Sequence, residues 1–330
     1  MTFRTRIVLP VSVLSAGALV LAGCSSTTPA DGDDGIRIVA STNVYGDVAA
    51  TIAGDAAHVT SIIHDPTQDP HEYEATSRDA LAIADADLVI VNGGGYDEFM
   101  HTLLEAHEND AVVLDAVELS GLAPDDAPDD AHDHDDSGDA EGEHEHEDEE
   151  HAHDHGEFNE HVWYDLDAMA ALADELAAAL GELQPGDAET FTANADAFTQ
   201  GLDELEQRAS GIADAHAGAS VAITEPVPLY LLEHAGLENV TPEEFSEAVE
   251  EGTDVPPLVL QDVVALVADG SVAFLAYNEQ TVGPQTEEVL ASAQDAGTPV
   301  VSFTELLPDG EDYLGWMAAN LDAMEAALTA

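Results

Sequence analysis

Residues 125–157 carry seventeen Asp or Glu and seven histidines, and otherwise only Ala, Gly, Pro and Ser. Such a stretch has no apolar surface whose burial could offset the entropy of ordering it, so it cannot join a core. Any fold must therefore be built from the chain on either side, with this tract as a solvated insertion. Its histidines are His132, His134, His144, His146, His151, His153 and His155. Neutral imidazoles favour zinc, copper or nickel, whereas carboxylates alone would favour calcium or magnesium. The tract thus announces a transition metal, held weakly at many points.

Outside the tract the chain alternates short β-rich runs with helical patterns. Residues 36–41, 59–63, 88–91 and 112–114 read as strands, with helices predicted over 44–53, 77–84 (capped by Ser77) and 98–106. Gly93-Gly94-Gly95 reads as a tight strand-to-helix turn, because the Lys-Ser/Thr of a phosphate loop does not follow it. Beyond the tract, residues 166–183 form an Ala-rich helix. Then Phe191, Ala195, Phe198, Leu202, Leu205, Ala209 and Ile212 recur at spacings of four and three, which sets one narrow apolar seam on a long helix. The alternation resumes with strands at 221–223, 237–240, 272–277 and 300–303 and helices at 229–235, 257–268, 286–296 and 313–328. This pattern predicts an α/β protein of two lobes, each a mostly parallel sheet flanked by helices, on either side of the long helix. A coiled-coil dimer seam is the other use of such spacing. In open sheets of this kind ligands bind beyond the carboxyl ends of the strands, so facing lobes make a cleft.

The N-terminus adds an address. Arg4 and Arg6 precede an apolar run that ends in Leu21-Ala22-Gly23-Cys24. This reads as a cleaved secretory signal over residues 1–23 with a lipobox, leaving Cys24 to be lipidated at the extracytoplasmic face of the membrane. Residues 24–35 would be a flexible spacer, 36–186 a first metal-binding lobe, 187–214 a linker helix and 215–330 a second lobe. With five Arg, no Lys and seventy Asp or Glu, the chain repels nucleic acid and concentrates cations.

Three residues stand where a cleft between lobes would form. His71 lies in Asp69-Pro70-His71-Glu72-Tyr73-Glu74, after the strand at 59–63 and stiffened by Pro70. His161 adjoins Trp163 and Tyr164, which can exclude water from its ring. Glu225 follows the first strand of the second lobe. Two imidazoles and a carboxylate suit zinc or manganese.

These stations, Asp69 to Glu74, Glu160-His161-Val162-Trp163-Tyr164-Asp165, and Thr224-Glu225 leading to Pro228-Leu229-Tyr230-Leu231-Leu232, resemble those of the zinc and manganese solute-binding lipoproteins of ABC importers. The resemblance runs in order along nearly the whole mature chain. It implies two pseudo-symmetric α/β lobes joined by a rigid helix, with His71 and His161 as the first-lobe ligands and Glu225 as the first of the second lobe. A fourth ligand is implied between Tyr277 and Pro284, where Glu279 stands in place of the usual aspartate; water or a second oxygen of Glu225 would serve otherwise. The His-rich insertion resembles the loop of zinc-specific members and favours Zn²⁺. A glutamate at 225, where zinc members often carry histidine, keeps Mn²⁺ as the alternative. The expectation is therefore a monomeric, non-enzymatic receptor that passes its ion to an ABC permease and its ATPase. An acidic cation buffer or adhesin and a metallohydrolase are the rival readings, although no His-Glu-x-x-His helix occurs.

Overall fold

The computed structural model describes residues 35–66, 68, 70–71, 73–107, 109–123 and 158–330. The first lobe runs β1 (Ile36–Thr42), α1 (Asn43–Ala53), β2 (Ala57–Ile63), α2 (Ser77–Ala84), β3 (Leu88–Val91), α3 (Glu98–Ala106), β4 (Val112–Asp115) and α4 (Ala116–Ser120). After the tract come α5 (Leu166–Leu183) and the long α6 (Ala188–His216). The second lobe runs β5 (Ser220–Ile223), α7 (Leu229–His234), β6 (Glu238–Asn239), α8 (Glu243–Glu250), α9 (Pro257–Ala268), β7 (Leu275–Asn278), α10 (Pro284–Ala296), β8 (Val300–Phe303) and α11 (Tyr313–Leu328).

The two sheets share one topology. Strand order is β2-β1-β3-β4 in the first and β6-β5-β7-β8 in the second, and all neighbouring strands are parallel. Parallel strands need crossovers, which the intervening helices supply, and both faces of each sheet are covered. The central strands β3 and β7 are accordingly buried at every position.

Helix α6 buries Phe191, Ala195, Phe198, Leu202, Leu205, Ala209 and Ile212, the seam its spacing predicts. At 29 residues it is about 43 Å long. Its seam belongs to a core that runs unbroken from β1 and α1 through α5 and α11 to Val221, Ile223 and Phe303 of the second lobe. Each large side chain in that seam contributes roughly 1.5–3 kcal/mol by burial. The helix is thus a strut packed along its length and not a tether. At Gly201, an added Cβ would come within 2.5 Å of Leu314 on α11. That close approach is what the missing side chain permits.

Several local expectations need correction. Thr76, not Ser77, caps α2, through a reciprocal capping box with Asp79. The predicted strand at 272–277 begins its ladder only at Leu275, and Asn278 extends it. Helices α4 and α8, of five and eight residues, were not anticipated. No helix among the described residues is long and apolar enough to cross a membrane.

Candidate metal centre

Beyond the carboxyl ends of the strands the lobes face one another, and their loops are bonded directly. Asn43 Nδ2 donates to the Leu307 carbonyl (2.8 Å), and Asn43 Oδ1 accepts from Leu307 N–H (3.0 Å). Tyr164 donates to the Thr304 carbonyl, Tyr313 to that of Trp163 and Tyr230 to that of Asn159, each at 2.7 Å. Tyr164 and Tyr313 are fully buried and Tyr230 half-buried, and each hydroxyl is satisfied, which fixes the seam between lobes.

Two imidazoles meet there. His71, in the loop after β2 and following the buried Pro70, has a side chain 20 % exposed. His161 is fully buried, its ring centroid 5.9 Å from that of His71, 5.8 Å from Tyr96 and 5.1 Å from Trp163. Burial first, and then His71, hold the His161 pKa well below the ordinary histidine value, so its ring is neutral at pH 7.

The protonated nitrogen of His161 follows from its neighbours. Asn159 Nδ2 lies 3.2 Å from the Pro226 carbonyl and can only donate to it. That turns Asn159 Oδ1 toward His161, where it accepts from the backbone N–H (3.2 Å) and from Nδ1 (2.7 Å). Nδ1 therefore carries the proton, and Nε2 presents a lone pair. Nε2 is buried and has no hydrogen-bond partner among the described residues. A buried imidazole held by an outer acceptor with its other nitrogen open is the arrangement a metal ligand needs.

The turn at Gly93-Gly94-Gly95 brings the next group. All three residues have positive φ (78°, 62° and 91°), a run only glycine accepts without strain. Asp97 closes the turn by accepting from the N–H groups of Asn92 (2.7 Å) and Gly93 (3.0 Å). Tyr96 is thereby set against His71, with ring centroids 5.0 Å apart, and its hydroxyl donates to Glu305 Oε2 at 3.1 Å.

Four glutamates gather around these rings. Glu305, just past β8 and 1 % exposed, has Oε2 3.6 Å from His71 Nε2. One donor atom each from His71, His161 and Glu305 lies within 4.8 Å of the other two. A tetrahedral shell at roughly 2.0–2.1 Å per donor has edges of roughly 3.4 Å, so a first-row ion needs only a small contraction of this triangle. Glu225, just past β5 and 2 % exposed, stands one amide away: Asn278 Nδ2 donates both to Glu225 Oε2 and to Glu305 Oε1. The Thr281 hydroxyl also donates to Glu225 Oε2. Glu250 ends α8, and its Oε1 is 3.8 Å from His161 Nδ1. Burial, reinforced by Glu160, Glu225 and Glu305, pushes the Glu250 pKa well above the usual carboxylate range.

Of the sequence-predicted ligands, the fold brings His71 and His161 together and places Glu225 beside their carboxylate partner. Glu279 is exposed and stands outside the cluster; Glu305 occupies the position expected of it. The physical reason lies in the loop after β7, which supplies amides in place of a ligand. Gln280 Oε1 accepts from the N–H groups of Glu305 (2.6 Å) and Leu306 (2.9 Å), while its Nε2 donates to the Gln68 carbonyl in the His71 loop (3.0 Å). One signal could have found Glu305: Thr304-Glu305 follows β8 as Thr224-Glu225 follows β5. Asn159, Glu160 and Tyr96 carried no such signal, and Glu250 sits on the helix that periodicity missed. Cys24 and the seven tract histidines lie outside the described residues.

The family described as zinc-uptake complex component A, periplasmic, matches residues 38–327. Curated relatives match shorter segments. The manganese-binding lipoprotein MntA of Halalkalibacterium halodurans is 38 % identical over 111 residues, 33 % of this chain and 35 % of the relative. The manganese ABC transporter substrate-binding lipoprotein PsaA of Streptococcus pneumoniae is 37 % identical over 84 residues, 24 % of this chain and 26 % of the relative. The chain thus spans about a third or less of these relatives' length. Among solved structures, the periplasmic zinc-binding protein TroA of Treponema pallidum aligns with a TM-score of 0.67 at 20 % identity, covering 89 % of this chain and 99 % of TroA. FpvC of Pseudomonas aeruginosa, in complex with Mn²⁺, aligns with a TM-score of 0.67 at 22 % identity over 89 % and 98 % of the two chains. These structures share the two-lobed fold. With the family match extending over both lobes, the chain belongs to the zinc-uptake complex component A family, the metal-binding substrate-binding proteins of ABC importers.

Proposed function

We propose that this protein captures Zn²⁺ outside the cytoplasm, between its two lobes, and delivers it to an ABC permease driven by its ATPase. His71, His161, Glu305 and Glu225 hold the ion, and no reaction is catalysed. The observation that carries this reading is the convergence of His71, His161 and Glu305 on an open, buried His161 Nε2 whose tautomer Asn159 dictates. The histidine tract supports zinc, since imidazole donors would gather it weakly and raise its local concentration. Cys24 anchors the chain by lipid to the membrane face, and the receptor works as a monomer.

Manganese is the second reading, because the site balances two imidazoles with two carboxylates and oxygen-rich shells suit that ion. Competition titrations against a chelator, on the full chain and on a form lacking residues 125–157, decide between them. One tight site that survives the deletion and prefers Zn²⁺ supports the zinc receptor, and preference for Mn²⁺ supports the second reading. Loss of all tight binding with the tract would refute both.

Release follows from the architecture. The core along α6 is continuous, so the ion leaves when the His71 loop loosens from Gln280, and not by wide hinge opening.

A further inference from the structure

Two groups of donors converge at the lobe interface, and they share one residue. The first is His71, His161 and Glu305; the second is His71, Glu160 and Glu250, again with one donor atom each within 4.8 Å of the others. The groups differ in access. In the first, the His161 and Glu305 side chains are 0 % and 1 % exposed; in the second, Glu160 is buried as well, at 5 %, and it is Glu250, at 14 %, that opens the group toward solvent. His71, at 20 %, is the most open ring of the site and stands in both.

Charge points the same way. Glu160 and Glu250 stand beside His71, while Glu225 and Glu305 share the Asn278 amide close by. The chain contains no lysine, and Arg37 and Arg208 are paired with Asp87 and Asp322. Glu250 also ends α8, where the negative end of the helix dipole disfavours an anion. Glu250 Oε1 is buried without a hydrogen-bond partner among the described residues, and it approaches His161 on the Nδ1 side at 3.8 Å and not at the open Nε2. A carboxylate so placed is explained by a cation that it meets.

We propose that His71, Glu160 and Glu250 form an outer station at which a divalent transition metal first exchanges water for protein donors, before His71 carries it inward to His161 and Glu305. This deepens the receptor reading and rests on it. Sharing His71 lets a small displacement of one ring move the ion between shells without freeing it from every protein ligand.

The test is rapid-mixing kinetics on the full chain, with Zn²⁺ or Mn²⁺ alone as the probe and tryptophan fluorescence as the readout, since Trp163 packs 5.1 Å from His161. Glu250→Gln keeps shape and removes the carboxylate that would meet the ion. It should slow association and dissociation together, each about tenfold, and leave Kd within about threefold, because a station on the path alters the barrier and not the end state. Glu250→Asp should recover most of the rate. Glu251→Gln, which removes an exposed neighbouring charge, should change neither rate, excluding a general field effect. Unchanged rates in Glu250→Gln would overturn the proposal. So would faster dissociation with unchanged association, which would make Glu250 a ligand of the final shell. Failure of the receptor reading looks different: the wild-type chain would bind neither ion tightly, and His161→Ala would change nothing.

Discussion

Replacing Asn159 by alanine separates a positioned ligand from a merely present one. The Asn159 side chain makes three contacts: with the Pro226 carbonyl (3.2 Å), His161 N–H (3.2 Å) and His161 Nδ1 (2.7 Å). Only the last bears on the ring, and it selects the tautomer with Nε2 open. Without it, two neutral tautomers become accessible and only one can bind. Tautomer choice alone accounts for about a factor of two, or about 0.4 kcal/mol. The larger loss is orientation and basicity: outer partners of metal-bound histidines are worth about 10–100-fold in affinity, or about 1.4–2.7 kcal/mol. Asn159→Ala should therefore weaken zinc binding about 10–100-fold at unchanged stoichiometry of the tight site. Asn159→Asp, which keeps the acceptor but loses the donor to Pro226, should fall between alanine and wild type. The assay is chelator competition at pH 7.5 read by tryptophan fluorescence, with nitrogen NMR of His161 reporting the tautomer. Affinity within twofold of wild type for Asn159→Ala would refute the claim that this amide sets the ligand.

Other outcomes follow from the same geometry. Glu305→Ala should reduce zinc affinity at least about 100-fold, since it removes a charged donor, while Glu279→Ala should leave a titration within about twofold of wild type. Acidification should destabilise the metal-free fold through His161: its folded pKa lies well below 6.5, so the unfolded chain takes up that proton first, and this residue's share of stability, full above about pH 6.5, is lost as pH falls below it. Thermal melts of the metal-free protein across pH 4–8, with and without His161→Gln, measure that share. His234 on α7 bonds Asp165 at 3.2 Å, which raises the histidine pKa and, with the α5 cap, lowers that of the carboxylate. That link is complete between the unfolded values, from about pH 4 to 6.5; it fades as pH rises through the raised His234 value or falls through the lowered Asp165 value. Because the pair is partly solvated, His234→Ala should cost no more than about 1 kcal/mol in denaturant titrations at pH 6. Gly93→Ala should destabilise by about 1–3 kcal/mol, because φ is 78° and the new Cβ would sit 2.3 Å from the Asp115 carboxylate.

Most of the architecture was legible because it is carried by period. The α6 seam, the buried runs of β1 and β3, and the glycine turn each follow from spacing or from one residue's backbone freedom. His71 and His161 were legible for a related reason: each stands in a short, distinctive neighbourhood beyond a strand or beyond the tract. The rest depends on contacts that linear spacing does not encode. Glu305 is a ligand candidate only because β8 takes, in the second sheet, an edge position beside β7, and Glu250 only because an eight-residue helix turns its last side chain inward. The loop after β7 looked like the source of a ligand, yet its Asn278 and Gln280 serve as amide braces for carboxylates placed elsewhere.

The unbroken hydrophobic spine beneath α6 has an implication for signalling. A molecule whose halves share one interior keeps nearly the same hydrodynamic radius whether laden or vacant. Scattering and sedimentation should be almost blind to cargo. If the protein is the receptor proposed above, a partner that discriminates the two forms has to feel the rim around His71 and cannot gauge the silhouette.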